Sequence, residues 1–187
     1  MAQTRVLALV GSLRSAAVTR QLAETAATVA PEGVEVSIYD GLADVPFYNE
    51  DLDGETVPAA AVALRDAVAG VDAVLFLTPE YNGSTSGVLK NAIDWLSRPY
   101  GAGALSGKPV AVVSASPSGN AAKWALEDTV KAVGIAGGKV AEGGSLSVGG
   151  TFGKFGDAHA KEHAETATEI AGLVDALVNA TKELVEA

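Results

Sequence analysis

Three short apolar runs, none of which alternates with polar residues, limit the fold of this chain more than any other feature. They occupy residues 6–10, 73–77 and 110–113. A strand that is apolar on both sides is buried on both faces, which is typical of a parallel sheet covered by helices. We predict two further strands: residues 34–39, where the pattern alternates more, and residues 139–141, which are short and suit a sheet edge.

Helical patterns lie between these strands. Apolar residues at helical spacing predict helices that begin near Thr19 and Pro58, cover residues 89–96, extend from Ala122 to an end at Gly134, and run over residues 170–184. This alternation predicts right-handed crossovers and an α/β fold, a doubly wound five-stranded parallel sheet with helices on both faces. A chain of 187 residues fits one domain, so we expect residues 1–187 to form a single domain.

Composition excludes several classes of protein. The chain has no cysteine, which excludes a disulfide scaffold, a thiolate metal site and a cysteine nucleophile. Thirteen Lys and Arg against 23 Asp and Glu give a net charge of −10, which repels phosphate backbones and anionic lipid. The apolar runs are too short to span a bilayer, and residues 1–5 lack a signal-peptide layout. We therefore expect a cytoplasmic protein that binds neither nucleic acid nor a membrane.

Ligands of open α/β sheets bind beyond the carboxyl ends of the strands. The loop at residues 11–19 lies between a buried strand and a helix, and a helix start offers free N–H groups to an anion. Ser12, Ser15 and Thr19 add hydroxyl donors, and Arg14 adds a cation, so the loop suits a phosphate. Neither Gly-x-Gly-x-x-Gly nor a P-loop is present. By itself, this loop fits an ordinary capped turn equally well.

Two more loops follow buried strands. In residues 78–87, Asn82-Gly83 predicts a tight turn, and Tyr81 offers an aromatic wall to a planar ligand. In residues 114–120, small side chains let the backbone approach a ligand closely. Each loop alone is compatible with a plain connection. Together the three predict a site for a flat ligand with a phosphate tail.

The residues of these loops carry a resemblance to a known family. The segments are Gly-Ser-Leu-Arg at 11–14, Pro-Glu-Tyr-Asn-Gly-Ser at 79–84 and the following residues 87–95, with shorter matches at 46–51 and 107–110. Over roughly its first three quarters the chain resembles the NAD(P)H-dependent FMN reductases of flavodoxin-like fold, a group that includes bacterial quinone, chromate and azo-dye reductases. The resemblance implies one flavodoxin-like FMN-binding domain.

The resemblance also implies an activity. FMN would be the cofactor and NAD(P)H the co-substrate, and the electrons would pass to a small acceptor such as a quinone, chromate, an azo dye, a ferric chelate or free flavin. A homodimer or homotetramer is expected, with residues 46–51 supplying part of the partner's site. Two alternatives stay open: a flavodoxin-type electron carrier, and a flavin-free binding protein on the same scaffold.

Site residues follow from the resemblance by position. Ser12 and Arg14, helped by Thr19, would hold the FMN phosphate. The family usually has serine where this chain has Ala17, and often asparagine at the position of Thr19. The remaining cofactor-binding positions are Pro79, Glu80, Tyr81, Asn82, Gly83 and Ser84 at the ring and its pyrimidine edge, and Ser114, Ser116 and Gly119 on the opposite side. Backbone N–H groups of residues 82–84 would stabilise reduced flavin. Arg98 is a catalytic candidate toward the acceptor, or a surface arginine at a helix end.

Three other features yield expectations. Residues 40–55 carry six acidic residues and no basic one, which indicates a solvated surface loop. Residues 143–156 are glycine-rich and indicate a mobile loop. His159 and His163 lie four apart on the predicted last helix, a metal-binding spacing without a third ligand, so we expect a solvated helix face and no metal.

Overall fold

A computed structural model describes residues 3–186 of the chain. Five strands form one sheet with the order β2-β1-β3-β4-β5, and every neighbouring pair is parallel. The strands are β1 (Thr4–Val10), β2 (Val34–Ile38), β3 (Ala73–Pro79), β4 (Pro109–Ala115) and β5 (Lys139–Val148). The predicted doubly wound, five-stranded sheet is therefore confirmed.

Helices cover both faces of the sheet, as predicted. They are α1 (Val18–Val29), α2 (Ala59–Ala69), α3 (Gly87–Leu96), α4 (Lys123–Ile135), α5 (Thr151–Phe155) and α6 (Ala164–Glu186). Short 3₁₀ turns lie at Gly41–Asp44, Glu50–Leu52 and Ala160–Glu162. One core packs the sheet against α1 and α6, and the other packs it against α2, α3 and α4. Among the helices of residues 3–186, none is long and apolar enough to cross a membrane.

The central strands explain why their sequences do not alternate. All seven residues of β4 are buried. In β3, Leu75 and Leu77 enter the core beneath α1 and α6, whereas Val74 and Phe76 enter the core beneath α2 and α3. Both faces of the strand are therefore apolar, and burial on each side holds the sheet between two helical layers.

The glycine-rich segment at residues 143–156 is not the mobile loop that we predicted. Strand β5 continues to Val148 instead of ending at residue 141, and α5 follows directly. Gly143 has a φ of 75°, and the pairing between β4 and β5 shifts register there. Glycine in this strand marks a bulge rather than a loop, because it permits the positive φ that the irregularity requires. Helix α4 likewise continues past Gly134 to Ile135.

The acidic segment is only partly solvated, which corrects the prediction for residues 40–55. Leu42 and Val45 are buried. Asp53 forms an ion pair with Arg65, Oδ1 lying 2.7 Å from Nη2. The indole N–H of Trp95 donates to the carbonyl of Pro46 at 2.8 Å. The segment is therefore packed against α2 and α3.

The two histidines do not share the last helix, which was our prediction. His159 lies before the 3₁₀ turn at Ala160–Glu162, and His163 lies after it. The Nε2 atom of His159 is 2.8 Å from Oε2 of Glu24, and its Nδ1 atom accepts the N–H of Lys161. His159 thus connects this turn to α1, and the Nδ1 atom of His163 accepts the N–H of Thr166 at 3.3 Å, which connects the turn to α6.

Candidate active site

The loops after β1, β3, β4 and β5 meet at the carboxyl edge of the sheet. The N–H of Gly11 donates to the carbonyl of Leu77 at 2.7 Å, which joins the first loop to the end of β3. The N–H of Glu80 donates to Ala115 at 3.3 Å, which joins the second loop to the third. The hydrogen bonds continue from the third loop to the end of β5, so the polar segments singled out in the sequence form one continuous rim.

Gly11 allows the first two loops to approach each other. A Cβ atom at this position would lie 2.5 Å from the hydroxyl oxygen of Ser86 and 3.2 Å from the carbonyl oxygen of Leu77. Ser86 is the N-cap of α3, where its side chain accepts the N–H of Leu89. A larger residue at position 11 would therefore push the start of α3 away from the rim.

The start of α1 carries polar groups without partners. Ala17 is its N-cap and offers no side-chain acceptor. Within residues 3–186, no group accepts the N–H of Val18, Thr19 or Arg20. Thr19 is only 2% exposed, and its buried hydroxyl oxygen has no hydrogen-bond partner in the part of the chain that the structure describes. Helix N-termini with free N–H groups bind anions, and an unpaired buried hydroxyl is costly, so an anionic acceptor fits here.

Arg14 and Ser12 lie on the loop that leads into this helix. The side chain of Arg14 is exposed, and it forms no ion pair with any residue that the structure describes. Ser12 accepts the N–H of Arg14 through its hydroxyl oxygen at 3.4 Å. A free guanidinium beside uncapped N–H groups and the unpartnered hydroxyl of Thr19 together match a phosphate group.

The second loop forms a two-residue hairpin. Asn82 and Gly83 have φ values of 53° and 73°. Tyr81 and Ser84 exchange backbone hydrogen bonds, from Tyr81 N–H to Ser84 O at 3.2 Å and from Ser84 N–H to Tyr81 O at 3.1 Å. Two positive φ values with this pairing define a type I′ turn. Below, "the rim turn" means Tyr81–Ser84.

The rim turn offers two free backbone donors rather than three. The N–H of Ser84 is used within the turn, whereas the N–H groups of Asn82 and Gly83 donate to no acceptor among residues 3–186. The hydroxyl of Ser84 donates to Asp128. The Ser84 side chain therefore connects the turn to α4. The free N–H groups of the turn are those of Asn82 and Gly83. The side chain of Tyr81 is 52% exposed beside them.

The base of this loop is fixed by polar contacts. The hydroxyl of Thr78 lies 3.1 Å from that of Thr85 and accepts the N–H of Ser86 at 3.1 Å. The carboxylate of Glu80 accepts the N–H of Ala125 at 3.1 Å, so it caps the first turn of α4. Pro79 and Glu80 thus line the rim through their backbone, because the Glu80 side chain is already engaged.

The third loop combines paired and unpaired polar groups. Ser114 is fully buried, and none of the described residues forms a hydrogen bond with its hydroxyl oxygen. The hydroxyl of Ser116 lies 3.0 Å from that of Ser118 and accepts the Ser118 N–H at 3.1 Å. Gly119 is exposed, and a Cβ atom there would contact nothing. The sequence did not predict Asn120 as a site residue, and its buried Nδ2 atom also has no hydrogen-bond partner among residues 3–186.

Trp124 and Asp128 reach the rim although our reading of the sequence did not select them. Trp124 is 59% exposed, and its Cε3 atom would lie 3.3 Å from a Cβ placed on Gly83. Asp128 is one helical turn further along α4 and accepts from Ser84 and Thr85. One sequence feature could have indicated Trp124: it is a large aromatic residue in the first turn of the helix that follows a rim loop.

Arg98 does not join the rim of its own chain. Helix α3 starts at the rim with Gly87 and ends at Leu96, so Arg98 lies roughly 15 Å further along the helix direction. The guanidinium carbon of Arg98 is 5.6 Å from the centroid of the Tyr48 ring. Its Nε atom is buried and has no hydrogen-bond partner within the described residues 3–186. Arg98 also lines a cavity of about 720 Å³ between α3 and α4.

Sheet order and site together define the class of this protein. A five-stranded parallel sheet ordered β2-β1-β3-β4-β5, with polar loops at the carboxyl ends of β1 and β3, is a flavodoxin-like domain. Residues 4–153 match the sequence profile of the family described as NADPH-dependent FMN reductase. The chain belongs to this family. The unpartnered hydroxyl of Thr19 and the free donors around it fit the phosphate of FMN.

Curated relatives include several quinone reductases. The chain is 49% identical over 112 residues to a quinone reductase of Pseudomonas putida, a match that covers 60% of each protein. It is 42% identical over 113 residues to a quinone reductase of Escherichia coli K12, again over 60% of each. The matched part of the chain therefore spans 60% of the length of these relatives.

A solved structure extends the similarity over nearly the whole chain. The flavoenzyme NAD(P)H:(acceptor) oxidoreductase FerB from Paracoccus denitrificans superposes with a TM-score of 0.84 at 31% identity. The match covers 96% of this chain and 98% of FerB. The likeness thus includes β5 and α6, which lie largely outside the regions that carry the sequence motifs.

Proposed function

We propose that this chain is an FMN-dependent oxidoreductase that passes hydride from NAD(P)H through bound flavin to a small acceptor, with quinones as the favoured acceptor class. One observation carries the proposal: unpaired donors at the start of α1 and at the tip of the rim turn lie on one continuous edge. Relatives described as quinone reductases, and FerB, described as an NAD(P)H:(acceptor) oxidoreductase, support the reaction class.

The chain's own residues would bind and orient the cofactor. Arg14, Ser12 and Thr19, with the free N–H groups of α1, would hold the phosphate. When bound, FMN supplies the hydride-accepting chemistry. The N–H groups of Asn82 and Gly83 would then donate toward negative charge on the pyrimidine edge, as preset donors do in an oxyanion hole. The third loop, from Ser114 to Gly119, would close the other side.

Several small acceptors fit an open rim. One steady-state assay, run with both NADPH and NADH, should therefore compare quinones with chromate, azo dyes, ferric chelates and free flavin as acceptors.

The single-domain assignment for residues 1–187 is supported by two cores that share one sheet. A cytoplasmic location is part of the proposal, since NAD(P)H is its reductant.

The proposal is tested by titrating the purified protein with FMN and following flavin fluorescence and thermal unfolding. Binding should stabilise the protein, and NAD(P)H should then bleach the flavin in stopped-flow mixing before a quinone restores its absorbance. A protein with no thermal stabilisation by excess FMN would be a flavin-free binder instead. A protein that binds FMN but is not reduced by NAD(P)H would be an electron carrier.

We also propose a homodimer or homotetramer in which residues 46–51 contribute to a partner's site. Phe47 is 84% exposed, although the backbone around it is held by α3, where Asn91 accepts the Tyr48 N–H at 2.8 Å. Tyr100, which is 90% exposed, and Ile135 are also exposed beside the cavity between α3 and α4. Rigidly presented aromatic side chains are typical of interfaces. Light scattering that gives only the mass of one chain would contradict this.

A further inference from the structure

The rim turn needs support from elsewhere in the chain. A two-residue hairpin is marginally stable by itself in water, and this one is closed by two backbone hydrogen bonds between Tyr81 and Ser84. Its outward donors, the N–H groups of Asn82 and Gly83, keep a fixed direction only if the turn cannot rock on the loop. The supporting contacts come from α4, some 40 residues later in the chain.

Asp128 makes the central contact. Its Oδ2 atom accepts a hydrogen bond from the hydroxyl of Ser84 and a second from the N–H of Thr85 at 3.2 Å. These two donors lie at the last residue of the rim turn and just beyond it. A single carboxylate oxygen thus fixes both the end of the turn and the chain that leaves it.

Ala125 and Trp124 of α4 contact the same loop. The N–H of Ala125 donates a 3.1 Å hydrogen bond to the carboxylate of Glu80, the residue just before the rim turn. Trp124 lies against Gly83, the residue in the middle of the turn. Because Trp124 and Asp128 are four residues apart, they share one face of α4, and that face covers the turn from Gly83 to Thr85.

The charge state of Asp128 suits this role. The hydrogen bond from Ser84 is the main cause that keeps the pKa of Asp128 below its ordinary value, and burial opposes it. The N–H of Thr85 and the positive charges of Lys131 and Lys90 lower the pKa further. The side chain is therefore ionised at neutral pH, and hydrogen bonds to a carboxylate are stronger than those to a neutral acceptor.

We propose that Asp128 is a positioning residue that clamps the rim turn, so that the N–H groups of Asn82 and Gly83 are preset for the pyrimidine edge of FMN. The inference rests on the proposed function, because the clamp has a role in binding only if flavin occupies the rim. In this arrangement α4 positions the donors of the rim turn toward the ring, whereas the start of α1 would hold the phosphate.

The test compares Asp128→Ala and Asp128→Asn with Glu127→Ala, an exposed acidic residue on the same helix. Titration with FMN and with riboflavin separates what the ring contributes to the binding affinity from what the phosphate contributes, because riboflavin lacks the phosphate. Asp128→Ala should weaken binding of both ligands by the same factor, roughly tenfold. Asp128→Asn should recover part of the loss, since its amide oxygen still accepts a hydrogen bond. Glu127→Ala should match the wild type.

Hydrogen exchange of the flavin-free protein gives a second readout that needs no activity. The hydrogen-bonded amides among residues 80–86, which are those of Glu80, Tyr81, Ser84, Thr85 and Ser86, should exchange faster in Asp128→Ala, while those in β3 and in the middle of α4 should not. If Asp128→Ala does not fold, Ser84→Ala removes one of the two donors and serves instead.

Unchanged riboflavin affinity in Asp128→Ala, or unchanged exchange at residues 80–86, would overturn the clamp. A loss confined to FMN would do the same, because it would locate the effect at the phosphate. Failure of the wild type to bind either flavin would overturn the proposed function itself, and the clamp's role toward flavin with it.

Discussion

The indole N–H of Trp95 donates a 2.8 Å hydrogen bond to the carbonyl of Pro46, which joins the middle of the acidic segment to α3. Trp95 is fully buried, and its ring meets that of Tyr48 edge-on with centroids 5.0 Å apart. The exposed Phe47 lies between these two anchored positions. Its aromatic ring is therefore held out from the surface by contacts on either side of it in the chain.

Trp95→Phe should lower the free energy of unfolding by about 1–3 kcal/mol, because it removes a buried donor and part of a packed ring. Urea unfolding followed by circular dichroism measures the change. Trp124→Phe is the matched control: its ring is largely exposed, so its unfolding curve should stay within about 0.5 kcal/mol of the wild type. Equal effects of the two substitutions would contradict the anchoring role of Trp95.

Arg14→Ala should weaken FMN binding roughly tenfold or more and leave riboflavin binding unchanged, because the guanidinium contacts only the phosphate in the proposed site. Isothermal titration with the two flavins measures the difference. Arg14 pairs with no described residue, so thermal unfolding of the flavin-free protein should not change. Equal losses for FMN and riboflavin would remove the phosphate role.

Thr19→Val should have opposite effects on stability and on binding. The hydroxyl of Thr19 is buried and unpartnered, so replacing it with a methyl group should leave the flavin-free protein as stable or stabilise it by about 1 kcal/mol. FMN affinity should fall in the same variant, because the phosphate loses a donor. Thermal unfolding with and without FMN checks both. A variant that is destabilised without FMN would indicate that the hydroxyl already has a structural role.

Ala121→Gly should stabilise the protein by about 1 kcal/mol. Ala121 and Ala122 both have a φ of 57°, a conformation that costs alanine about 1 kcal/mol and glycine almost nothing. Ala122→Gly serves as the comparison, since its methyl group is fully buried and its loss offsets the gain. Chemical denaturation measures both variants. A destabilised Ala121→Gly would show that its methyl group contributes packing that outweighs the backbone cost.

Acid should weaken the contribution of Asp128. Its folded pKa lies below the ordinary value of 3.8, mainly because of the hydrogen bond from Ser84, so its stabilising effect is present above that value. As pH falls below 3.8, the unfolded chain takes up the proton first, and the stability is lost through the folded pKa. The stability difference between wild type and Asp128→Asn should therefore shrink on acidification, as urea titrations would measure. A difference that grows would contradict the sign.

Sequence patterns predicted the sheet because buried parallel strands have a simple signature. The runs at residues 73–77 and 110–113 are apolar on both sides, and the structure buries them on both faces. Residues 143–148 lack that signature, because an edge strand with glycine at a bulge is specified by its partner β4 rather than by its own side chains. The last helix was expected to carry both histidines, and a short 3₁₀ turn separates them instead.

At the rim, too, some features could be predicted from the sequence and others could not. Loops that follow buried strands could be placed at one edge from topology alone, and they meet there. Asp128 could not be found this way, because its partners lie more than 40 residues earlier and no local pattern encodes a contact between a helix and such a distant loop. The sequence feature that could have indicated Trp124 is a large aromatic residue in the first turn of α4. Ser84 was expected to face the ligand, but its hydroxyl donates to Asp128.

The uncapped start of α1 has a consequence beyond catalysis. With Ala17 at the N-cap, no side chain caps the first turn of this helix, and a bound anion would accept its free N–H groups instead. If FMN is that anion, as we propose, it favours the folded state by binding to it, so the protein should resist proteolysis better with FMN than without it.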